Sequence, residues 1–251
     1  MDSTKKTVLI TGSSRGIATW SRYDQLPACL LAGLHFKGHP VGDPQLTDVS
    51  FQLTALSPFK IVTMDTADEA TILEAARQLD GVAIDLLINN AGIGIPGGLI
   101  SSTKEAIMRQ FEVNTVGPFL VTRTLLPNLR LAAKTRGSAC VAQLSSLLGS
   151  IGSCTVETAA TYTDAIYGYG SSKAALNMIT RSMSAELRES NIAVVSLHPG
   201  YVDTDMTQGK ATLKPSDSVT AMTSLIAEIS LDSTGKFFNL DPQIPASELP
   251  W

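Results

Sequence analysis

Cysteine is scarce in this chain, and the few cysteines present are poorly placed for cross-linking or metal binding. There are three in 251 residues, Cys29, Cys140 and Cys154, and no Cys-x-x-Cys pair occurs. An odd number of widely spaced cysteines argues against a disulfide framework and against a zinc site. We therefore predict no metal site and a reducing, cytoplasmic compartment.

Basic charge and long apolar runs are also lacking. Lysine and arginine number 19 against 23 acidic residues, which gives a net charge of −4 and no electrostatic support for a nucleic-acid or membrane partner. No stretch approaches the roughly 18 apolar residues of a membrane span. The early run Val8–Ile10 is too short for a signal-peptide core. The hydrophobic fraction of 44% excludes global disorder.

Short apolar runs alternate with helical patterns along the chain. The runs are near-continuous, as in strands buried on both faces of a parallel sheet. They lie at 7–10, 60–63, 84–88 and 193–197, with weaker examples at 139–144 and 236–238. Apolar residues at helical spacing occupy 67–80, 104–133, 171–188 and 217–231. This alternation predicts an α/β fold with a doubly wound, mostly parallel, Rossmann-like sheet, in one domain over 1–251.

A glycine-rich turn follows the first predicted strand. Residues 11–17 read Thr-Gly-Ser-Ser-Arg-Gly-Ile, with Gly12 and Gly16 in a Gly-x-x-x-Gly pattern. Backbone amides in such a turn can approach a pyrophosphate, and the next helix directs its amino terminus at the anion. Glycine is required where a Cβ would block that approach. An ordinary strand–turn is the alternative interpretation.

Tyr169 and Lys173 are spaced for acid–base chemistry. On a helix, side chains four residues apart share one face. A free phenol has a pKa of about 10, and a nearby ammonium lowers it, so that tyrosine can exchange protons with a carbonyl or an alcohol. Tyr162 and Tyr167 have no lysine four residues later. We therefore predict Tyr169 as the acid–base residue.

Other polar motifs follow predicted strands, at the edge where ligands of this fold bind. Asp65 ends one strand and could also cap the helix over 67–80. Asn89-Asn90-Ala91-Gly92 and Leu144-Ser145-Ser146 end two others, and His198-Pro199-Gly200 begins a turn after a fourth. We interpret His198 as structural, since Tyr169 already serves as proton donor.

In this order, the motifs resemble those of the short-chain dehydrogenase/reductase family. The resemblance covers about 5–17 and 57–251, and the segment 235–251 is similar to sniffer-like carbonyl reductases and to the norsolorinic acid ketoreductase of fungal polyketide pathways. It implies NADP(H)-dependent reduction of a ketone or aldehyde, or the reverse oxidation, on a small-molecule substrate. It also suggests secondary metabolism and a homo-oligomer.

The resemblance assigns roles to individual residues. Its catalytic set is Ser146, Tyr169, Lys173 and Asn114, with Ser145 as the second choice for the serine. Its cofactor-binding set is Gly12, Arg15, Gly16, Ile17, Asp65, Asn90, Gly92, Arg123, Tyr169, Lys173, Val202 and Thr204. Asp65 of the cofactor-binding set would bind the adenine amino group, and Asn114 of the catalytic set would bulge a helix and hold a water. For Arg123 the resemblance implies a basic residue near the cofactor, and a solvated position on a helix face explains it nearly as well.

Cofactor choice depends on the charge beside the adenosine ribose. A 2′-phosphate is usually met by Arg or Lys near the first turn or the end of the second strand. Arg15 lies in the glycine turn, and Lys37, later in the chain, is a second basic candidate. Asp43 is only a weak acidic candidate for a ribose contact. We therefore predict NADP(H) in preference to NAD(H).

The segment 18–56 is atypical for the family. Ala18 replaces the last glycine of the fingerprint, and Pro27, Pro40 and Pro44 interrupt the expected helix and second strand. We predict irregular chain over about 19–42 and a weakly held adenosine end. The alternative function is accordingly a non-catalytic or impaired protein on the same fold, with a defective cofactor site.

Overall fold

The structure is a computed structural model that describes residues 6–12, 29–33, 60–158 and 165–251. Seven strands form one sheet in the order β3-β2-β1-β4-β5-β6-β7, and all six neighbouring pairs are parallel. The strands are β1 Val8–Ile10, β2 Cys29–Gly33, β3 Lys60–Thr63, β4 Leu86–Asn89, β5 Ala139–Leu144, β6 Ile192–His198 and β7 Phe237–Asn239. The predicted doubly wound parallel sheet is confirmed.

Helices connect the strands as the apolar periodicity predicted. The described α-helices are α1 Glu69–Gln78, α2 Lys104–Phe111, α3 Gly117–Thr124, α4 Leu126–Arg136, α5 Ser171–Leu187 and α6 Pro215–Glu228. The single stretch predicted over 104–133 is divided. A π-helical turn at Glu112–Val116 separates α2 from α3, and α4 begins at Leu126 with Pro127 in its first turn.

The prediction of irregular chain over 19–42 is wrong for residues 29–33. These residues form β2, which pairs with β1 on one side and β3 on the other. Pro27 and Pro40 lie outside the strand, so neither removes a donor from the ladder. The rest of the atypical segment lies outside the described residues.

Two apolar layers enclose the sheet. On one face, Leu87, Val141 and Val194 pack with residues of α1 and α3–α5. On the other, Ile88, Ala142 and Val195 pack with Val219 and Met222 of α6. Side chains of neighbouring strand residues thus alternate between the layers, as the pleat of a sheet buried on both faces requires.

The strand order places a crevice beside β1. The chain passes from β1 to β2 and β3 in one direction, and the later strands extend from the other side of β1. Ligands of open α/β sheets bind outside the carboxyl ends of the strands at such a reversal. No helix within the described residues is long and apolar enough to cross a membrane.

Candidate active site

Asn90 connects the turn after β1 to the end of β4. Its side-chain nitrogen donates to the carbonyl oxygens of Thr11 at 3.0 Å and Gly12 at 3.1 Å. Gly12 has a φ of +68°, and a Cβ there would lie 2.8 Å from the Cα of Ala91. Only glycine fits such a contact. The glycine turn and the Asn-Asn-Ala-Gly motif are therefore one structural unit.

Asn114 lies within the π-helical turn and is fully buried. Its Oδ1 accepts from the backbone N–H of Ile93 at 2.8 Å, and its Nδ2 donates to the Ile93 carbonyl at 2.8 Å. The same Nδ2 donates to Ser172 Oγ at 3.0 Å. The helix bulge implied by the resemblance is present at Asn114, and it joins the loop after β4 to α5.

Lys173 extends from the first turn of α5 toward β5. Its Nζ donates to the carbonyl oxygen of Leu144 at 2.7 Å and lies 5.6 Å from the centre of the Tyr169 ring. The side chain is 3% exposed, and this burial lowers its pKa to about 8. A Cβ at Gly92 would lie 3.5 Å from Nζ and 3.3 Å from Asn114 Oδ1. These three residues thus surround a concavity that a side chain at position 92 would fill.

The two serines after β5 have different partners. Ser145 donates its hydroxyl to Asn177 Oδ1 at 2.7 Å, in the buried contact between β5 and α5. Ser146 instead lies near Tyr169, and its hydroxyl acts to lower the pKa of the phenol. Its Oγ also accepts from the Leu148 N–H at 3.2 Å. Of the two, Ser146 is the one that the structure brings to the tyrosine.

Tyr169 lies in a second π-helical turn, Ile166–Gly170, directly before α5. Part of the residue is exposed, yet burial of the phenol raises the pKa of Tyr169 to about 12, and the nearby hydroxyl of Ser146 acts in the opposite direction. The expected lowering of this pKa by Lys173 is not found. The reason is geometric, since Nζ is bonded to the Leu144 carbonyl and faces the ring.

The turn after β6 is held by short-range bonds. Val202 is buried and forms a parallel bridge with Leu213. The backbone N–H of Thr204 donates to Thr207 Oγ1 at 3.0 Å, which forms part of a capping box. His198, at the root of this turn, is 6% exposed with its Nε2 4.0 Å from Asp241 Oδ2. The cofactor roles of Val202 and Thr204 stay predictions.

Asp65 and Arg123 have local partners. Asp65 is buried and its Oδ1 accepts from the Ala67 N–H at 2.9 Å, whereas Asp68 caps α1. The alternative that Asp65 caps this helix is therefore wrong. Arg123 donates to Glu69 at 2.5 Å in an exposed ion pair between α3 and α1. Their proposed contacts with a cofactor stay predictions.

Five residues of the cofactor prediction lie outside the part of the chain that the structure describes. They are Arg15, Gly16, Ile17, Lys37 and Asp43. Asn90, Gly92, Asn114, Ser146, Tyr169 and Lys173 are described, and the contacts given above link them along the carboxyl edge of β4 and β5.

Gln110 is a buried site residue that the sequence interpretation missed. Its Oε1 accepts from the Ile95 N–H at 2.9 Å, and a Cβ at Gly168 would lie 2.1 Å from its Nε2. Gln110 thus contacts the loop after β4 and the turn that carries Tyr169. Gln110 lies four residues before Asn114, on the same helix face, and this spacing could have identified it from the sequence as a site residue.

The sequence matches the family model described as short chain dehydrogenase over residues 6–214. A 169-residue match is 40% identical to C-signal of Myxococcus xanthus and covers 67% of this chain and 93% of that protein. The 1-hydroxy-2-glutathionyl-2-methyl-3-butene dehydrogenase of Rhodococcus sp. (strain AD45) is 28% identical, with 94% of this chain and 96% of the relative covered.

Two solved carbonyl reductases share the fold over nearly their whole length. The NADPH-bound carbonyl reductase from chicken fatty liver superposes with a TM-score of 0.82 at 29% identity, covering 98% of this chain and 99% of that one. Carbonyl reductase Sniffer of D. melanogaster gives a TM-score of 0.83 at 26% identity, covering 98% and 100%. The predicted resemblance to sniffer-like carbonyl reductases is confirmed.

Proposed function

The chain belongs to the short-chain dehydrogenase/reductase family of NAD(P)-dependent oxidoreductases, and from this premise we propose that it reduces a ketone or aldehyde with NADPH. One observation carries the proposal: Ser146, Tyr169, Lys173 and Asn114 are linked at one edge of the sheet. This cluster favours an enzyme over a non-catalytic protein on the same fold.

The geometry supports a defined role for each side chain. The hydroxyl of Ser146 lies close enough to Tyr169 to act on the pKa of its phenol, so a carbonyl oxygen bound beside both hydroxyls would receive two hydrogen bonds. Those bonds would stabilise the negative charge that develops on this oxygen. Tyr169 then donates its proton to the oxygen. Lys173 donates to the carbonyl oxygen of Leu144, and Asn114 donates to that of Ile93. These bonds hold the end of β5 and the loop after β4 in place beside Tyr169.

The residues present fit a nicotinamide cofactor. Gly92 leaves a space that a Cβ would fill, and Lys173 supplies a buried ammonium beside it, while Gly12 lets the turn after β1 pack against Ala91. Asn90 fixes the turn that contains Gly12. When bound, a reduced nicotinamide supplies the hydride for the carbonyl carbon. Gly12, Asn90, Gly92 and Lys173 are the described residues that would hold the cofactor.

The protonation state of Tyr169 is the one that carbonyl reduction requires. A phenol with a pKa of about 12 keeps its proton at neutral pH, so it is prepared to donate that proton to an alkoxide. Alcohol oxidation instead needs the phenolate, which becomes more populated as the pH rises.

The test is NADPH consumption with a panel of aldehydes and ketones. We expect Tyr169→Phe to reduce turnover by about 10²-fold or more, the scale of a positioned acid, while the thermal unfolding curve stays cooperative. Tyr167→Phe is the matched control, because Tyr167 is 41% exposed and has no lysine four residues later. A Tyr169→Phe protein that retains most of its activity would contradict the proposal.

The preference for NADPH over NADH rests on Arg15 in the glycine turn. The NADPH bound to the chicken carbonyl reductase supports the same choice. Thermal-shift titrations with NADPH and NADH measure this preference. Arg15→Ala should weaken the binding of NADPH more than the binding of NADH. Tighter binding of NADH by the unaltered protein would reverse the assignment.

The similarity of residues 235–251 to norsolorinic acid ketoreductase extends the proposal to a ketone of secondary metabolism. We further propose a homo-oligomer on the family resemblance, which light scattering would test.

A further inference from the structure

Asn177 joins three separate segments of the chain in the buried space between α5 and the sheet. Its Oδ1 accepts from Ser145 Oγ at 2.7 Å and from Ser196 Oγ at 3.0 Å, while its Nδ2 donates to the carbonyl oxygen of Gly149 at 3.0 Å. The residue is 3% exposed, so these bonds form in a low-dielectric environment, where they are strong. One side chain of α5 therefore binds β6, the residue after β5 and the turn that follows.

Two of these three bonds lie on either side of Ser146 in the sequence. Ser145 directly precedes it, and Gly149 ends the 3-10 turn Leu147–Gly149 that Ser146 caps. The N–H of Gly149 also donates to the Ser146 carbonyl oxygen at 2.8 Å, which closes that turn. The backbone that carries the Ser146 hydroxyl therefore cannot shift without disturbing one of the bonds to Asn177.

The helix that carries Asn177 also carries other groups of the site. Lys173 lies four residues before Asn177, so the two side chains share one face of α5, and the turn that contains Tyr169 leads directly into this helix. The turn after β5 packs tightly on the same face, since a Cβ on Gly149 would lie 2.7 Å from the Cβ of Lys173. Glycine thus brings its carbonyl within reach of the amide. Asn177 therefore sets the separation between the turn with Ser146 and the helix behind Tyr169.

We propose that Asn177 is a positioning residue for carbonyl reduction, which holds the Ser146 hydroxyl in line with that of Tyr169. The inference rests on the proposed carbonyl reduction and adds the residue that aligns its two hydroxyl groups. Asn177 acts through the backbone around Ser146, because its own amide is bonded to protein groups. A carbonyl oxygen needs both donors directed at one point, so a small displacement of Ser146 weakens the bond that stabilises the developing charge.

The first experiment measures Asn177→Leu with and without Ser146, using NADPH and the best substrate of the carbonyl panel. Leucine has a similar volume but lacks the amide, so the backbone on both sides of Ser146 loses its anchor. We expect kcat to fall by about tenfold, the scale of a modest displacement of a positioned group. NADPH binding should be unchanged, since Asn90 and the glycine turn do not depend on Asn177. In Ser146→Ala the same substitution should cost less than about twofold, because the serine that it positions is already gone.

Ser145→Ala and Ser196→Ala supply a matched pair. Each removes one buried hydroxyl that donates to Asn177 Oδ1, so both should lower the melting temperature to a similar extent. Only Ser145 adjoins Ser146, whereas Ser196 lies within β6. We expect Ser145→Ala to lower kcat severalfold, and only while Ser146 is present, and Ser196→Ala to leave kcat unchanged. Thermal unfolding verifies that each variant is folded, and this pair decides the matter if Asn177→Leu does not fold.

The outcomes separate this inference from the function on which it rests. Unchanged turnover in Asn177→Leu, or an equal loss with and without Ser146, would overturn the positioning role and leave carbonyl reduction standing. A loss of turnover in Ser196→Ala as large as that in Ser145→Ala would overturn it in the same way, because the effect would then follow stability alone. No turnover of any carbonyl compound by the unaltered protein would overturn the proposed function and this assignment together.

Discussion

The two loops that meet beside the proposed proton donor are held in different ways. The fixed wall, residues 93–95, is fastened by buried amide side chains of α2 and its π-helical turn. The turn wall, residues 205–207, is held by Thr207 through bonds to the Val202 carbonyl and to Thr204. Long-range buried bonds fix a surface against which chemistry can be aligned, whereas short-range bonds leave a half-exposed surface free to adapt.

Lys173→Met is expected to have the largest effect, because it should change stability and turnover in opposite directions. Burial lowers the pKa of Lys173 to about 8 from 10.5, so the charged form costs stability below pH 8, and that cost disappears as the pH rises toward 10.5. Methionine removes the charge but leaves the Leu144 carbonyl without this donor. We expect the free energy of unfolding to rise by about 1–2 kcal/mol near pH 7, while turnover falls about 10²-fold.

Urea denaturation at neutral and alkaline pH measures this effect. The gain from Lys173→Met should shrink as the pH rises, because the unaltered protein then loses its buried charge. A variant that is less stable at neutral pH and equally active would show that Lys173 is a structural residue.

His198 gives the turn side its own dependence on pH. Burial lowers the pKa of His198 to about 4 from 6.5, although the charge of Asp241 acts in the opposite direction. Its neutral form is therefore favoured in the folded state, and this stability is complete above about pH 6.5 and lost as the pH falls through 4. The lowering of the His198 pKa from 6.5 to about 4 corresponds to about 3 kcal/mol of folding free energy.

The measurement is the free energy of unfolding from about pH 7 to pH 4, compared with His198→Gln, which cannot titrate. We expect the variant to lose less stability across this range than the unaltered protein. Equal slopes would mean that His198 titrates alike in the folded and unfolded states.

Asn114→Ala removes the strongest anchor of the fixed wall. The variant leaves the N–H and carbonyl of Ile93 without their side-chain partner, in a place where Asn114 is fully buried. We expect a loss of about 2 kcal/mol in the free energy of unfolding, the scale of unsatisfied buried groups. Activity should fall further than stability alone explains, which kinetics well below the melting temperature would reveal.

Thr207→Val is the matching change on the turn wall and should have the smallest effect. The valine keeps the shape but loses the hydroxyl that bonds Val202 and Thr204. We expect a loss of about 1 kcal/mol or less, since these groups lie partly in solvent, and a change in KM greater than that in kcat. A loss as large as that of Asn114→Ala would remove the distinction between the two walls.

The sequence predicted the overall fold better than it predicted the second strand. Continuous apolar runs such as Leu86–Asn89 and Ile192–His198 are unambiguous, because strands buried on both faces need apolar residues throughout. Cys29–Gly33 was missed because nearby prolines dominated the pattern. Those prolines lie outside the strand. The strand itself pairs with β1 on one side and with β3 on the other, and these pairings supply the partners of its backbone groups.

The candidate site divides in a similar way. The spacing of Tyr169 and Lys173 follows from the helical repeat, so the sequence alone placed the two near each other. The choice between Ser145 and Ser146 could not be made from residues alone. It depends on Asn177, which lies more than thirty positions away and accepts the hydroxyl of Ser145.

The sequence by itself determined the layered α/β fold, the order of the motifs and the candidate residue types, because these depend on local periodicity and on short spacings. Only the tertiary structure decided the protonation states and the two walls beside Tyr169. The pKa values of Tyr169 and Lys173 reflect burial by distant elements, which outweighs the attraction expected from their spacing. The approach of Met206, whose Cγ would lie 3.5 Å from a Cβ on Gly94, likewise arises where loops from two different strands converge, a contact that no local pattern encodes.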